Sequence, residues 1–188
     1  MRVNLPTNLN DITLGKYQLY MKLDSESNNY TDEIFSLFTD IPLNQVKEVP
    51  KKQYDEVLQQ IYNALQIDGT FKQTFTIDGI DFGLIPNFDK ITGAEYVDLV
   101  SSSKEVEGYN SELITLISVL YRPIKKRDSF GNYKLEKYNG TKMHEKHIAK
   151  LPMSIVNGCL GFFLTISNDL DNHLQMCMEE VQLRGALQ

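Results

Sequence analysis

Apolar residues recur every three or four positions through most of the chain, a spacing that predicts amphipathic helices. The first predicted helix begins at Thr13 and the second at Thr31, and the third follows Pro50 and ends before Asp68. Pro42 and Pro50 bracket a predicted loop between the second and third helices. We therefore expect the N-terminal third of the chain to be helical.

The apolar spacing changes to two between Phe71 and Leu84, which predicts a pair of β-strands. Asp78 and Gly79 separate the two strands, and a tight hairpin turn needs positive φ at both of its central residues. Pro86 follows and is expected to close the second strand. This part of the chain predicts one β-hairpin.

Two further helices are predicted after the hairpin. Thr92 and Glu95 have the spacing of a capping box, which marks the start of a helix. Ser111 is a candidate cap for the next helix, whose residues 113–121 are apolar nearly all round and therefore predict burial on most sides. Pro123 is expected to end that helix, because the residue before a proline disfavours the helical conformation.

Residues 124–140 are predicted to form a loop or an irregular hairpin, and Thr141 is predicted to start a short basic helix. Pro152 can occupy the first position of the last helix, where no N–H is needed. We expect the front of this long helix to be core and its back, from Leu170 onward, to contact another protein surface. Its apolar stripe comprises Ile155, Cys159, Phe162, Ile166, Leu170, Leu174, Cys177 and Val181.

These elements predict a mainly α-helical protein, at the margin of the α+β class, with five to seven helices, one β-hairpin and a long C-terminal helix. Residues 1–69 are predicted to be helices that pack on the main domain or extend from it as arms. Residues 70–188 are predicted to hold the hairpin and the helical core. The length of 188 residues and the apolar fraction of 41% suffice for a sizeable core.

Basic residues are concentrated in one part of an acidic chain. The net charge is −6, yet residues 122–150 hold nine of the 19 bases and only three acids. This basic segment carries +6, and the remainder of the chain carries −12. Because a patch of one sign attracts a surface of the other, we expect its bases to form an interaction site. They are Arg122, Lys125, Lys126, Arg127, Lys134, Lys137, Lys142, Lys146 and Lys150.

Three interpretations of the basic segment stay open. It can be a solvated lysine-rich face whose tyrosines close the core, or a contact for an acidic protein partner. Its aromatic residues Tyr121, Phe130, Tyr133 and Tyr138 also fit the binding of single-stranded nucleic acid by charge and stacking. The acidic charge of the whole chain argues against general nucleic-acid binding.

No residue pattern in the sequence predicts a catalytic, metal or cofactor site. His144 and His147 have a spacing that can present both to a metal, but no third ligand is evident and a solvated basic helix is favoured. His173 is expected at the surface. Cys159 is expected to be a packed thiol, and it lies too far from Cys177 along one helix for a disulfide.

Three carboxylates near the hairpin, Asp78, Asp81 and Asp89, could do acid–base chemistry or hold a cation, but they are more simply explained as turn and rim residues. Gly158 and Gly161 lie inside a helix, where they favour close approach of another backbone over a hinge. Phosphate-binding glycine loops, nucleophile elbows and dinucleotide fingerprints do not occur in the sequence. We expect no signal peptide, no membrane span and no enzymatic activity.

Three stretches resemble segments of small structural-module proteins of tailed bacteriophages, in particular crAss-like phages. They are Ile91-Thr92-Gly93-Ala94-Glu95-Tyr96-Val97-Asp98-Leu99, Ser118-Val119-Leu120-Tyr121-Arg122-Pro123-Ile124 and Lys150-Leu151-Pro152-Met153. The resemblance covers about residues 85–165 and implies a virion component or an assembly factor. It carries over no catalytic residues.

The resemblance and the charge pattern lead to the hypothesis of a non-enzymatic virion structural protein, associated with the portal or neck, the capsid or the cargo. Such a protein would assemble in several copies with other phage structural proteins, in the virion and, during assembly, in the host cytoplasm. The alternative is an assembly chaperone that is absent from the mature particle. A nucleic-acid-binding module is the third hypothesis.

Overall fold

The computed structural model describes residues 5–8, 10–66, 69–106 and 113–162, which form an α+β fold. The helices are α1 (Leu14–Tyr20), α2 (Tyr30–Thr39), α3 (Leu43–Val46), α4 (Lys51–Ala64), α5 (Gly93–Val106), α6 (Leu113–Leu120), α7 (Lys142–Ile148) and α8 (described over residues 153–162). The strands are β1 (Thr74–Ile77), β2 (Ile80–Leu84), β3 (Tyr121–Arg127) and β4 (Tyr133–Leu135), and a 3-10 turn spans Phe88–Lys90.

The four strands form one antiparallel sheet in the order β1-β2-β3-β4. β3 is an inner strand, which pairs Tyr121 with Leu84 of β2 and Ile124 with Leu135 of β4. The prediction of a mainly α-helical protein with one β-hairpin is wrong, because that hairpin is only half of the sheet. Of the two descriptions predicted for residues 124–140, the irregular hairpin is the one found, with a bulge in the β3–β4 pairing.

Pro123 and the charged run Lys125-Lys126-Arg127 concealed β3, because they are typical of a helix end and a loop rather than of an inner strand. Pro123 fits into β3 because its nitrogen faces the end of the β3–β4 pairing. The Pro123 C=O accepts a hydrogen bond from the Glu136 N–H at 2.9 Å. In an antiparallel strand the N and the C=O of one residue point toward the same neighbouring strand. The missing N–H therefore faces the chain one residue beyond the end of β4, where little pairing is lost.

Local signals for the first hairpin and for two helix starts are confirmed. Asp78 and Gly79 form the β1–β2 turn with φ of 52° and 77°. The Thr92 N–H donates to Glu95 Oε2 at 2.6 Å, and the Glu95 N–H donates to Thr92 Oγ1 at 3.3 Å, which is the predicted capping box. Thr13 caps α1 through its side chain.

Three boundaries differ from those predicted. The segment between Pro42 and Pro50 holds the one-turn helix α3 instead of a loop. α6 ends at Leu120, so that Tyr121 already belongs to β3. Pro152 precedes α8 and forms a β-bridge with Thr13 in place of starting the helix.

α6 lies at the centre of the core. Leu116 and Ile117 are at most 1% exposed, and α6 contacts α1, α5 and α7 as well as β3. The same buried cluster includes Phe35 of α2 and Ile61 of α4, so the N-terminal helices contribute to it. α6 is apolar nearly all round because it packs against neighbouring elements on several sides.

Gly158 lies against the backbone of the segment that precedes β1. A Cβ at Gly158 would lie 2.3 Å from the Phe71 nitrogen, and one at Gly69 would lie 2.2 Å from the Gly158 nitrogen. The predicted close approach of another backbone is confirmed for Gly158. At Gly161 a Cβ would meet no described atom within 4 Å, so the described part of the fold makes no such approach there, and the expected approach at an interface stays a prediction.

Candidate protein-interaction surface

The turn between β3 and β4 is held by Asp128. Its Oδ1 accepts hydrogen bonds from the Phe130 and Asn132 N–H groups, both at 2.9 Å, and its Oδ2 accepts one from the Asn132 side chain at 2.9 Å. These bonds, that of the Asn132 side chain above all, lower the pKa of the Asp128 carboxyl. Gly131 adopts φ of 86°, a conformation that favours glycine. The hairpin tip therefore has a defined backbone.

Phe130 is 90% exposed at this tip, more than any other large apolar residue in the described ranges. The predicted interaction site does not include Phe130, although Phe130 is one of the aromatic residues of the basic segment. The sequence does indicate its exposure, because Phe130 lies between Asp128 and Gly131. Both are turn-forming residues, and residues of a turn lie at the surface and not in the core. An aromatic ring on a well-defined tip is a common anchor in protein interfaces.

Arg122 is turned inward. Its guanidinium is 2.8 Å from Glu95, with side-chain exposures of 14% and 4%, and it lies over the Tyr138 ring at 5.8 Å. The Tyr138 hydroxyl donates to Asp98, and burial together with that carboxylate raises the pKa of Tyr138. Arg122 thus joins β3 to α5 and is not available to a partner without loss of these contacts.

Two other bases of the predicted site also have acidic neighbours. Arg127 lies 3.9 Å from Asp81. Lys150 Nζ is 2.7 Å from Asp78, and His147 Nδ1 lies 2.6 Å from the same carboxylate. Lys150, followed by His147, lowers the pKa of Asp78. These contacts connect the β1–β2 turn to the end of α7.

The remaining six predicted bases are exposed, and none forms an ion pair with an acid in the described part of the chain. They lie on β3, on β4, on the connection to α7 and on α7 itself. Uncompensated charges on successive elements attract an acidic surface more strongly than charges that are already paired. The six are Lys125, Lys126, Lys134, Lys137, Lys142 and Lys146.

An open pocket of about 590 Å³ lies beside the hairpin. Arg122, Tyr133 and Tyr138 contribute to its wall together with Lys134 and Lys137. The Tyr133 hydroxyl donates to the Leu84 C=O at 2.8 Å, which fixes the ring against β2. The pocket therefore combines fixed aromatic side chains with exposed lysines, a setting that fits an acidic side chain of a partner.

The two histidines of the basic segment have different neighbours. His144 lies 4.0 Å from Glu136 and packs edge-on against Phe82, and burial lowers its pKa. His147 contacts Asp78, as described above. Nowhere in the described ranges do three His, Cys, Asp or Glu side chains gather as a metal site requires.

Cys159 is fully buried, and burial raises the pKa of its thiol to about 12. This position fits the predicted packed thiol and gives no reactive nucleophile. Among the residues with a described placement, no helix is both long and apolar enough to cross a membrane.

The second predicted interaction site falls outside the described residues. It consists of Leu170, Leu174, Cys177 and Val181 on the back of the last helix. The predicted cap Ser111 and the predicted surface residue His173 also lie outside them.

Comparisons with known proteins give no match to a protein family, to a curated protein or to a solved structure.

Proposed function

We propose that the protein is a non-enzymatic structural component of a tailed-phage virion, which assembles in several copies with other virion proteins. The observation that carries this proposal is a set of six exposed lysines around a hairpin whose tip presents Phe130. None of the six forms an ion pair with an acid of the described residues. Charge guides the approach of an acidic partner, and a buried aromatic ring supplies much of the contact energy. The resemblance to phage structural-module proteins, on residues 91–99 above all, supports the same class.

The proposal is tested first by mass spectrometry of purified virions. A structural protein is expected at a stoichiometry comparable with other minor virion proteins. The assembly chaperone, which is the alternative function, would be found in infected cells and be missing or far substoichiometric in the particle. Absence from virions would therefore reject the structural role.

A second test asks whether the basic segment mediates assembly. The variant Lys125→Glu/Lys126→Glu/Lys134→Glu is expected to lose co-sedimentation with purified portal or capsid proteins at low salt, because like charges repel across the contact. Reversal of three other exposed lysines, Lys22→Glu/Lys47→Glu/Lys72→Glu, changes the net charge equally and is the matched control. Equal loss in both variants would assign the effect to net charge instead of to the hairpin.

A further inference from the structure

The β3–β4 hairpin has the properties of an insertion element. Phe130 is 90% exposed at its tip, and Asp128 holds the tip through three hydrogen bonds of 2.9 Å each. Because the backbone of the tip is already ordered, little conformational freedom is lost when it docks. Bases flank the ring on both strands: Lys125, Lys126 and Arg127 on β3, and Lys134 on β4.

The N-terminal helices form a pocket that can receive such a hairpin tip. It has a volume of about 480 Å³ and lies among α2, α3 and α4. Phe35, Ile41, Val49 and Val57 contribute apolar walls, which suit an aromatic side chain. Phe35 is fixed in place because its ring stacks on Tyr54 at a centroid distance of 5.0 Å.

The mouth of this pocket is acidic where the hairpin is basic. Glu48 and Glu56 line it and are exposed. Glu56 pairs with Lys52 at 3.9 Å, and this solvent-exposed pair costs little to rearrange. Among the described residues, the pocket lining itself contains Glu48 and Glu56 and no base. Residues 5–66 as a whole contain nine acids and five bases, so this part of the chain has a net charge of −4. Both the apolar and the charged features of the hairpin thus have counterparts here.

We infer that the hairpin of one copy inserts Phe130 into the α2–α3–α4 pocket of a second copy. This inference rests on the proposed function, in which several copies assemble, and it specifies the contact between them. The two surfaces are different parts of the chain, so the contact is heterologous and leaves one hairpin and one pocket free at the ends. Such contacts propagate into a ring when the rotation between copies closes.

The heterologous geometry gives a sharp test with two complementary variants. Phe130→Ala removes the inserted ring, and Glu48→Lys/Glu56→Lys reverses the charge at the mouth of the pocket. All three positions are exposed, so neither variant disturbs the core. Tyr96→Ala, which removes a ring that is 57% exposed on α5, is the matched control.

Analytical ultracentrifugation in reducing buffer at low salt measures self-association of each protein. Wild type and Tyr96→Ala are expected to associate, and each of the other variants is expected to associate about 30-fold more weakly, as loss of an anchor residue typically does. An equimolar mixture of the two weakened variants is expected to form heterodimers and nothing larger. Phe130→Ala supplies the intact pocket, and the charge-reversed variant supplies the intact hairpin.

Three results would overturn the inference: a monomeric wild type, unchanged association of Phe130→Ala, or a mixture that forms no heterodimer. None of them decides the proposed function, which depends on whether the protein is found in virions. If the protein is present in particles while its purified form stays monomeric, the copy-to-copy contact is rejected and the structural role stands.

Discussion

Glu95 connects two parts of the fold through its two carboxylate oxygens. Oε2 accepts the Thr92 N–H at the start of α5, and Oε1 lies 2.8 Å from the Arg122 guanidinium of β3. The capping box could be predicted because both of its members lie within four residues. The ion pair could not be predicted, because nothing local to Arg122 indicates that it points inward.

The buried pair makes a residue-scale prediction about stability. Glu95→Gln leaves Arg122 without a counter-charge in a site with 14% side-chain exposure, and we expect a loss of about 3 kcal/mol in the free energy of unfolding. Urea denaturation measures this loss. The control Asp55→Asn breaks the exposed pair with Lys51 and is expected to cost less than about 1 kcal/mol. A similar cost for both substitutions would show that the Arg122–Glu95 pair is not buried in solution.

The two glycines of α8 predict opposite effects of the same substitution. Gly158→Ala places a methyl group 2.3 Å from the Phe71 nitrogen, so the backbone must move, and we expect a net loss of about 1–2 kcal/mol. Gly161→Ala meets no described atom within 4 Å and is expected to stabilise by up to about 1 kcal/mol, because alanine favours helix over glycine. Thermal unfolding of both variants measures whether each substitution raises or lowers stability. Stabilisation by Gly158→Ala would refute the close packing of Gly158 against the Phe71 backbone.

At the scale of elements, the sequence predicted what is encoded within a few residues. The Asp78-Gly79 turn and the helix starts at Thr13 and Thr92 are all local signals, and all are confirmed. β3 could not be predicted in the same way, because its strand conformation depends on pairing with β2 and β4. A segment that contains Pro123 and three consecutive bases has low strand propensity, and only its two partners make it a strand.

Contacts between elements that are distant in the sequence could not be predicted either. The sequence predicts Asp78 as a turn residue and Lys150 as part of the interaction site. In the fold these two residues, 72 positions apart, form an ion pair that also involves His147. Of nine predicted interaction bases, Arg122, Arg127 and Lys150 have acidic neighbours within the molecule, and the other six stay exposed without one in the described ranges.

The Asp78 contact makes an element-scale prediction with a definite pH dependence. The lowered pKa of Asp78 stabilises the fold above the unfolded pKa of an aspartate, about 4, and this stabilisation disappears as the pH falls through the lowered folded pKa. Asp78→Asn is therefore expected to lower the urea midpoint at pH 7 and to leave it unchanged near pH 2. Asparagine tolerates positive φ, so the turn itself is preserved.

Asp40→Asn is the matched control for that experiment. Asp40 also has positive φ, 58°, but among the described residues its side chain pairs with a single base, Lys16 at 2.9 Å, in an exposed position. We expect a smaller shift of the urea midpoint at pH 7 than for Asp78→Asn. If both variants shift it equally, the link between the β1–β2 turn and α7 contributes nothing beyond a surface ion pair.

At the scale of the whole molecule, charge separation is the property that sequence alone could establish. A count of residues gives +6 for the basic segment and −12 for the rest, without knowledge of the fold. The structure adds two features that no count can supply: the exposed Phe130 on a hairpin tip and the apolar pocket among α2, α3 and α4. Phe130 is exposed because of the conformation of the β3–β4 turn, and the pocket forms where the consecutive helices α2, α3 and α4 pack on one another.

The same charge distribution favours protein partners over nucleic acid, and the salt dependence of binding tests this preference. Nucleic-acid binding through the six exposed lysines would show a log–log salt slope of up to about −4 for single strands, because about 0.7 counterions are released for each phosphate contacted. The acidic remainder of the chain repels phosphates. We therefore expect affinity for a single-stranded oligonucleotide at about 0.15 M salt to be no tighter than the roughly 10⁻⁴–10⁻⁶ M of non-specific binding.

Association between protein copies should respond to salt differently. Raising the salt to about 1 M shortens the screening length to about 3 Å and weakens the contact between the lysines and Glu48 and Glu56, but it leaves the burial of Phe130 intact. Wild-type self-association is expected to weaken and persist, whereas Phe130→Ala is expected to be monomeric at that salt. Sedimentation velocity across a salt series distinguishes the two. Complete dissociation of the wild type at about 1 M salt would mean that charge alone holds the copies together and that the aromatic tip is not buried between them.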